Sequence, residues 1–236
     1  MSDGEPDRLA LLGKHFLLAH LDRGKLERLL RFARVEAVPC DAFLFRKGDP
    51  ARGLIAILDG KVKIAASDEG KESTFNILGP GEIFGEIALI DGDARTADAV
   101  AIEDSRVLVI DRRDFRAWLE RDPELCVHLM VLLCRRIRHI GGLLEDAAFL
   151  QVGERLAKKL LRLADEFGRP TEGGVRIGVK LSQTELGNLV GATRRSVNAE
   201  LGDWREAGLV AVENGYIVLR DRDGLERIAT GERNDG

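Results

Sequence analysis

The chain is 236 residues long, 44% hydrophobic and 32% charged, a balance of folded globular proteins rather than disordered or fibrous ones. With 36 Lys plus Arg against 40 Asp plus Glu its net charge is −4, which excludes a histone-like polyanion binder and leaves any nucleic-acid role to local clusters of cations. Three cysteines, Cys40, Cys126 and Cys134, without C-x-x-C spacing disfavour both a disulfide framework and a cysteine zinc site.

Residues 1–10 are polar and read as a frayed terminus, with no basic n-region or apolar h-region of an export signal. The longest uncharged run, Leu125 to Cys134, is too short to span a bilayer. The expected location is therefore cytoplasmic, with no membrane partner. From Leu11 to Phe32 apolar residues fall at helical spacing and predict short helices. Beyond Val35 the pattern changes to short β-rich runs: Ala42–Phe45, Leu54–Leu58, Lys61–Ala65, Ser73–Leu78 and Arg106–Ile110. Turns such as Gly48-Asp49-Pro50, Asp59-Gly60, Gly79-Pro80-Gly81 and Asp91-Gly92-Asp93 separate them. Many short strands at close spacing predict a β-barrel or jelly roll, and we assign residues 1–122 to it together with the N-terminal helices.

After Asp111 no glycine occurs until Gly141, and helix is expected. Asp111-Arg112-Arg113-Asp114 starts a short helix. Asp122-Pro123-Glu124 starts a long one, with Asp as N-cap and Pro in the first turn. Along residues 123–150 the apolar positions Cys126, Met130, Leu133, Ile137, Ile140, Leu144 and Ala147 alternate spacings of four and three, as in a coiled-coil seam. Such a stripe can pack on the chain's own barrel; its length favours a dimerisation helix, and a homodimer is expected.

Residues 151–236 read as a small α/β unit. A helix from Val152 to Phe167 leads to a Gly-rich loop, Gly168 to Gly174. Two helices follow (Ser182–Val190 and Thr193–Ala207), then a hairpin, Leu209–Val212 and Tyr216–Leu219, closed by Asn214-Gly215, a strong type I′ signal. The two helices have helix–turn–helix spacing. Gly187 permits close approach, Gly191 supplies the turn, and Leu186, Val190, Ala192, Val197 and Leu201 face inward. Thr193 can cap the second helix, whose outward first turn carries Arg194, Arg195, Ser196 and Asn198; Gln183 and Thr184 open the first helix nearby. Arg bonds guanine bidentately in the major groove and Asn bonds adenine, so double-stranded DNA is the partner this face fits. A solvated helical hairpin is the plainer alternative. Glu200, near a position often apolar in this motif, is expected to pair with an Arg. Residues 151–236 hold 14 cations and 14 anions, so the unit is neutral with a basic helix end.

The segment Gly81 to Ala97 carries a second constellation. Gly85 begins an apolar turn at which the N–H groups of Glu86, Ile87 and Ala88 can converge on an anion. Arg95 offers a planar fork matched to phosphate, and Thr96 a hydroxyl donor. Glu86 beside them supplies the acceptor that a ribose hydroxyl needs. A buried Glu86–Arg95 salt bridge with no ligand role explains the same residues.

The order of these parts resembles the Crp/Fnr regulators, from about His15 to Leu219. The resemblance rests on Gly48-Asp49, Asp59 to Ile64, the cassette Gly85-Glu86…Arg95-Thr96-Ala97, and Val190 to Val197. It implies an α+β chain: an N-terminal cyclic-nucleotide-binding β-barrel or jelly roll, a dimerisation helix, and a C-terminal winged helix–turn–helix. It implies a DNA-binding transcription regulator, not an enzyme, controlled by a cyclic nucleotide, cAMP or cGMP. Glu86 would take the ribose 2′-OH and Arg95 the cyclic phosphate, with no metal or covalent cofactor. The implied partners are a second copy of the chain, a two-fold symmetric DNA site and RNA polymerase. Two departures stand out. Where cyclic-AMP-responsive members place a Thr-Ser pair against the adenine, this chain has Ile140 and Gly141. Arg194 matches the arginine that reads guanine, but Arg195 stands where those members have Glu, and Ala199 where they have a second Arg.

Other readings are weaker. A cluster-binding redox sensor needs N-terminal cysteines, and none precedes Cys40. A haem sensor needs an axial ligand, and His15, His20, His128 and His139 are all expected in helices, where His139 alone lies near the seam. No P-loop, kinase signature or Gly-x-Ser-x-Gly is present, which speaks against catalysis. A ligand-independent regulator, or one sensing another small molecule, has the same architecture.

Overall fold

A computed structural model describes residues 8–69 and 71–231. Most of the expected frayed terminus, residues 1–7, lies outside the described residues. The chain divides into two compact units, Met1–His139 and Ile140–Gly236.

In the first unit, helices α1 (Arg8–Leu12) and α2 (Arg23–Leu30) precede the strands β1 (Ala33–Val38), β2 (Phe43–Phe45), β3 (Gly53–Asp59), β4 (Val62–Asp68), β5 (Lys71–Leu78) and β6 (Ile83–Phe84). A one-turn helix α3 (Ile87–Ile90), strands β7 (Asp98–Ala101) and β8 (Ser105–Asp111), and helices α4 (Arg112–Leu119) and α5 (Pro123–Phe149) complete it, α5 running past its boundary. The strands form two four-stranded antiparallel sheets, β1-β8-β3-β6 and β2-β7-β4-β5, so the β region is a two-sheet jelly roll rather than one closed barrel. The interior, including Ile55, Ile57, Val62, Phe84, Val107 and Val109, fills the space between the sheets. A second core holds Leu54, Ala56, Leu58, Leu108 and Ile110 from the other face of β3 and β8, together with Leu17, Leu26, Phe115, Leu125 and Leu129. Strands β3 and β8 are thus covered on both faces. That is why Leu54–Leu58 reads as an unbroken apolar run instead of alternating.

Asp122 caps α5 as expected, accepting from the Leu125 N–H at 3.1 Å, and its other oxygen lies 3.3 Å from Lys25 Nζ. Asp111 precedes α4 but does not cap it. Its carboxylate instead accepts from Arg34 at 2.6 Å across the sheet edge. His15 and His20 lie in the turns between α1 and α2, not in helices as expected, because Gly13 and the following turns interrupt the periodicity. Both pack on the α5 region: His20 stacks on His128 at 4.1 Å, and His15 lies within the fields of Arg135 and Arg136.

The second unit contains α6 (Val152–Phe167), β9 (Gly168–Thr171), β10 (Gly174–Ile177), α7 (Gln183–Val190), α8 (Arg194–Glu206), β11 (Val210–Glu213), β12 (Tyr216–Leu219) and α9 (Arg222–Ala229). The expected Gly-rich loop is a β9–β10 hairpin in a sheet ordered β11-β12-β10-β9. Glycine is used here for close approach: a Cβ on Gly168 would run into the Ala164 carbonyl, and one on Gly174 into that of Leu219. Pro170 is accommodated because β9 is an edge strand. The β11–β12 turn is as expected, with Asn214 and Gly215 both at positive φ (52° and 84°). Helix α9 follows it, outside the expectations from sequence.

Burial, then the charges of Arg136 and Arg135, lower the His15 pKa from 6.5 to about 4, and its Nδ1 accepts from the Leu17 N–H. The unfolded chain therefore binds a proton that the folded chain refuses. Stability from this site is complete above pH 6.5 and is lost as pH falls towards 4. Urea midpoints measured from pH 7.5 to 4.5 should decline less steeply for His15→Asn, which keeps an acceptor but does not titrate; parallel curves would contradict the assignment.

Candidate functional site

The cassette is assembled where β6 turns into α3. Gly85 adopts φ +85°, and a Cβ there would lie 2.6 Å from Arg95 Nη1, so glycine is required by both backbone and space. Arg95 is buried and held on three sides. Its Nη1 donates to the Gly85 carbonyl at 2.6 Å, its Nη2 to the Gly53 carbonyl at 2.8 Å, and the guanidinium lies 4.2 Å from the Phe45 ring centre. Its Nε is buried without a hydrogen-bond partner. Glu86, fully buried, follows Gly85 and starts α3; Ile87 and Ala88 form its first turn, where N–H groups have no partner within the helix. Thr96 is exposed beside Arg95, and Ala97 is buried.

The expected alternative, a Glu86–Arg95 salt bridge, is not what forms. Glu86 Oε1 instead lies 2.9 Å from Nη1 of Arg136 on α5, while Arg136 Nη2 donates to the Ile83 carbonyl at 2.9 Å. The Arg136 contact is an ion pair whose N–H is poorly aligned, so the Glu86 oxygens keep acceptor capacity. Burial raises the Glu86 pKa, against the opposing charges of Arg136 and, more weakly, Arg95. Burial likewise lowers that of Arg95, opposed by Glu86. A planar cation with a free N–H and a buried carboxylate with acceptor capacity beyond its Arg136 ion pair can serve a ligand that carries an anion and a hydroxyl donor. Arg136 escaped the sequence reading, because nothing local marks which of several arginines on α5 meets a buried acid.

On α5 the inward face is Leu125, Leu129 and Leu132, which are buried in the second core. The proposed seam is a different face. Met130, Ile137, Ile140 and Leu144 are exposed, at 54–69%, as is Ala147, while Cys126 and Leu133 are half-buried. Gly141 and Gly142 meet nothing within 4 Å of an added Cβ.

In the helix–turn–helix, Ser182 and Glu185 form a capping box at the start of α7. Gly191 ends α7 at φ +62°, and a Cβ on Gly187 would lie 2.6 Å from the Ala192 carbonyl, so the two helices meet only over glycine. Leu186, Val190, Val197 and Leu201 are buried as expected, and Ala192 is half-buried. Thr193 caps α8: its hydroxyl accepts from the Ser196 N–H at 3.1 Å and lies 2.9 Å from Ser196 Oγ. Arg194 and Arg195 are exposed and make no ion pair among the described residues; Thr184 is exposed. Gln183 Nε2 donates to Asn198 Oδ1 at 2.7 Å, joining the start of α7 to the outward face of α8. Arg155 on α6 fixes the motif from behind, donating to the Val190 carbonyl at 2.9 Å and the Leu150 carbonyl at 2.7 Å. Glu200 does not pair with an arginine. Its carboxylate lies against Gly153 of α6, and burial, with Asp203 nearby, raises its pKa.

A jelly roll with a buried Arg–Glu cassette and a winged helix–turn–helix in one chain define a DNA-binding transcription regulator that carries a cyclic-nucleotide-binding domain. Comparison with known proteins agrees. The cyclic nucleotide-binding domain family matches residues 35–122 and the Crp-like helix-turn-helix domain family residues 154–228. The CRP-like cAMP-activated global transcriptional regulator of Mycobacterium tuberculosis (strain CDC 1551 / Oshkosh) is 36% identical over 79% of this chain and 84% of its own. The cyclic AMP receptor protein of Thermus thermophilus is 34% identical over 80% and 84%. The solved structure of the c-di-GMP responsive global regulator CLP of Xanthomonas campestris superimposes with a TM-score of 0.72 at 27% identity, covering 84% of this chain and 99% of that one. The chain belongs to the Crp/Fnr family of transcriptional regulators.

Removing Arg136 leaves a fully buried carboxylate without its nearest cation. Arg136→Ala should destabilise the protein by about 3 kcal/mol, the low end for a broken buried pair because Arg136 is itself partly exposed. Adding Glu86→Gln should recover most of that loss in urea titrations. In the second unit, Gly187→Ala should cost about 1–3 kcal/mol, because the contacted atom is backbone and cannot yield; an unchanged melting curve would refute the close approach.

Proposed function

We propose that the protein works as a homodimer whose affinity for a two-fold symmetric DNA site is set by a cyclic nucleotide, cAMP or cGMP, held by Glu86, Arg95 and Thr96. The observation that carries this reading is the pair of unsatisfied buried groups: Arg95 Nε and both Glu86 oxygens lack hydrogen-bond partners. Leaving a buried donor such as Arg95 Nε unpaired costs roughly 1–3 kcal/mol, and Glu86, ion-paired to Arg136, still has room to accept from a ligand hydroxyl. A cyclic phosphate placed at Gly85, Ile87, Ala88, Arg95 and Thr96, with Ala97 below, would satisfy Arg95; the adjacent ribose 2′-OH would donate to Glu86. The positions that meet the base in cyclic-AMP-responsive relatives are Ile140 and Gly141 here. Neither offers a side-chain donor, so adenine selectivity is weak, or another base or a larger cyclic ligand is preferred.

The homodimer reading rests on the seam Cys126, Met130, Leu133, Ile137, Ile140, Leu144 and Ala147, whose exposed members would be costly to leave in water. A ligand that binds one arrangement of α5 better than another would act through the hinge at Phe149 and Leu150 and bring the paired α8 helices to about 34–36 Å, one DNA turn. Gln183, Thr184, Thr193 and Ser196 would position the backbone while Arg194, Arg195 and Asn198 read bases. RNA polymerase is the further partner, and the cytoplasm the location.

Calorimetric titration with cAMP, cGMP and c-di-GMP should give saturable binding of at least one, weakened at least 100-fold by Arg95→Leu. Failure of all three to bind would leave the ligand-independent regulator as the better reading, and equal binding by Arg95→Leu would remove Arg95 from the ligand site. On an operator selected from a random duplex pool, Arg194→Ala should cost about 1–3 kcal/mol and relax one base position; unchanged binding would remove Arg194 from the base contacts.

A further inference from the structure

The second unit carries a cationic cluster outside the recognition helix. In the β9–β10 register Arg169 stands directly opposite Arg176, so two like charges face each other across one sheet position. Such a pairing is destabilising by itself. Neither residue makes an ion pair among the described residues, and Arg176 Nε is buried without a hydrogen-bond partner. The Arg176 guanidinium instead lies 4.8 Å from the ring centre of Tyr216 on β12, and Lys180 Nζ lies 5.6 Å from the same centre. Both distances are within cation–π range. Lys180 is exposed, yet its stem is held: a Cβ on Gly215 would come 2.9 Å from Lys180 Cε, so the chain of the lysine lies across the wing turn. A lysine serving only solubility needs no such seat. Glu213, the acid on the same turn, lies 3.5 Å from Arg220, and Glu172 is exposed in the β9–β10 turn.

The place of the cluster decides what it fits. Lys180 is two residues before Ser182, the cap of α7, and the next residue, Gln183, is bonded to Asn198 on the outward face of α8. Lys180 therefore stands by the end of α7 that is joined to the outward face of α8, and it shares Tyr216 with Arg176. We propose that Arg176 and Lys180, organised on Tyr216, and Arg169, which faces Arg176 across the sheet, form a phosphate clamp that grips the DNA backbone next to the base-reading helix. This rests on the DNA-binding reading above and adds to it a sequence-independent contact. The polyanion relieves the Arg169–Arg176 repulsion, and the seated side chains lose little freedom on binding.

The test uses the full-length protein and a fluorescein-labelled 40-base-pair duplex of mixed sequence, with anisotropy measured from about 30 to 200 mM KCl. The logarithm of the binding constant falls with log salt by about 0.9 per phosphate contact. The triple variant Arg169→Gln, Arg176→Gln, Lys180→Gln should flatten the slope by about two or more in the dimer and weaken binding at least tenfold at 100 mM. Arg169→Lys with Arg176→Lys, which keeps the charge, should restore the slope, something a purely structural role would not do. If the triple variant binds with the slope of the unaltered protein while Arg194→Gln with Arg195→Gln loses affinity, the clamp is wrong and the DNA-reading helix stands. If the unaltered protein shows no salt-dependent binding, both are overturned. Loss of slope in the charge-keeping variant as well would assign the residues to folding and also overturn the clamp.

Discussion

A fully buried carboxylate governs the first unit. Glu86 has lost its water, and an isolated ionised group in that position would be expelled or neutralised. It stays because Arg136 reaches it from α5 and Arg95 lends its field from below. The same Arg136 is tied to the Ile83 carbonyl at the end of β6, so one side chain joins α5 to both sides of the Gly85 turn. Arg95 in turn is fixed by two carbonyls and a ring. The cassette is thus held by contacts that leave Arg95 Nε and part of Glu86 without hydrogen bonds, and Arg136 ties it to α5.

The second unit is built on close backbone approach rather than charge. Gly187, Gly168 and Gly174 are each placed where a Cβ would meet a carbonyl, and caps at Ser182 and Thr193 set where α7 and α8 begin. The result fixes the α8 first turn without using Arg194 or Arg195 in any ion pair among the described residues. A net charge of −4 is compatible with this, because the excess of anions lies entirely in residues 1–150, which hold 22 cations and 26 anions by subtraction. A neutral unit that presents Arg194 and Arg195 exposed at one helix end binds DNA by position more than by bulk attraction.

How legible each part was in the sequence depends on whether its cause is local. The helix starts at Asp122, Ser182 and Thr193 and the Asn214-Gly215 turn follow from short-range hydrogen bonds and dihedral preferences, and they stand where the pattern put them. The β9–β10 hairpin was hidden because glycines that serve close approach look the same as glycines that serve a loose loop. His15 and His20 were misplaced for a related reason: apolar residues that pack through successive turns mimic helical spacing. Glu200 is expected to have an arginine partner, but its surroundings depend on where α6 lies, and its carboxylate meets Gly153 of that helix.

By itself the sequence determined the architecture and the turns that place Gly85, Arg95 and the first turn of α8, since these are encoded in residues close together in the chain. Only the tertiary structure decided that Glu86 belongs with Arg136 rather than Arg95. It also decided that the core-facing and seam faces of α5 are distinct, and that Arg176 and Lys180 meet on Tyr216 with Arg169 opposite Arg176 in the sheet. Each of these depends on side chains from separate elements meeting, and long-range packing, not local spacing, selects which charges become neighbours.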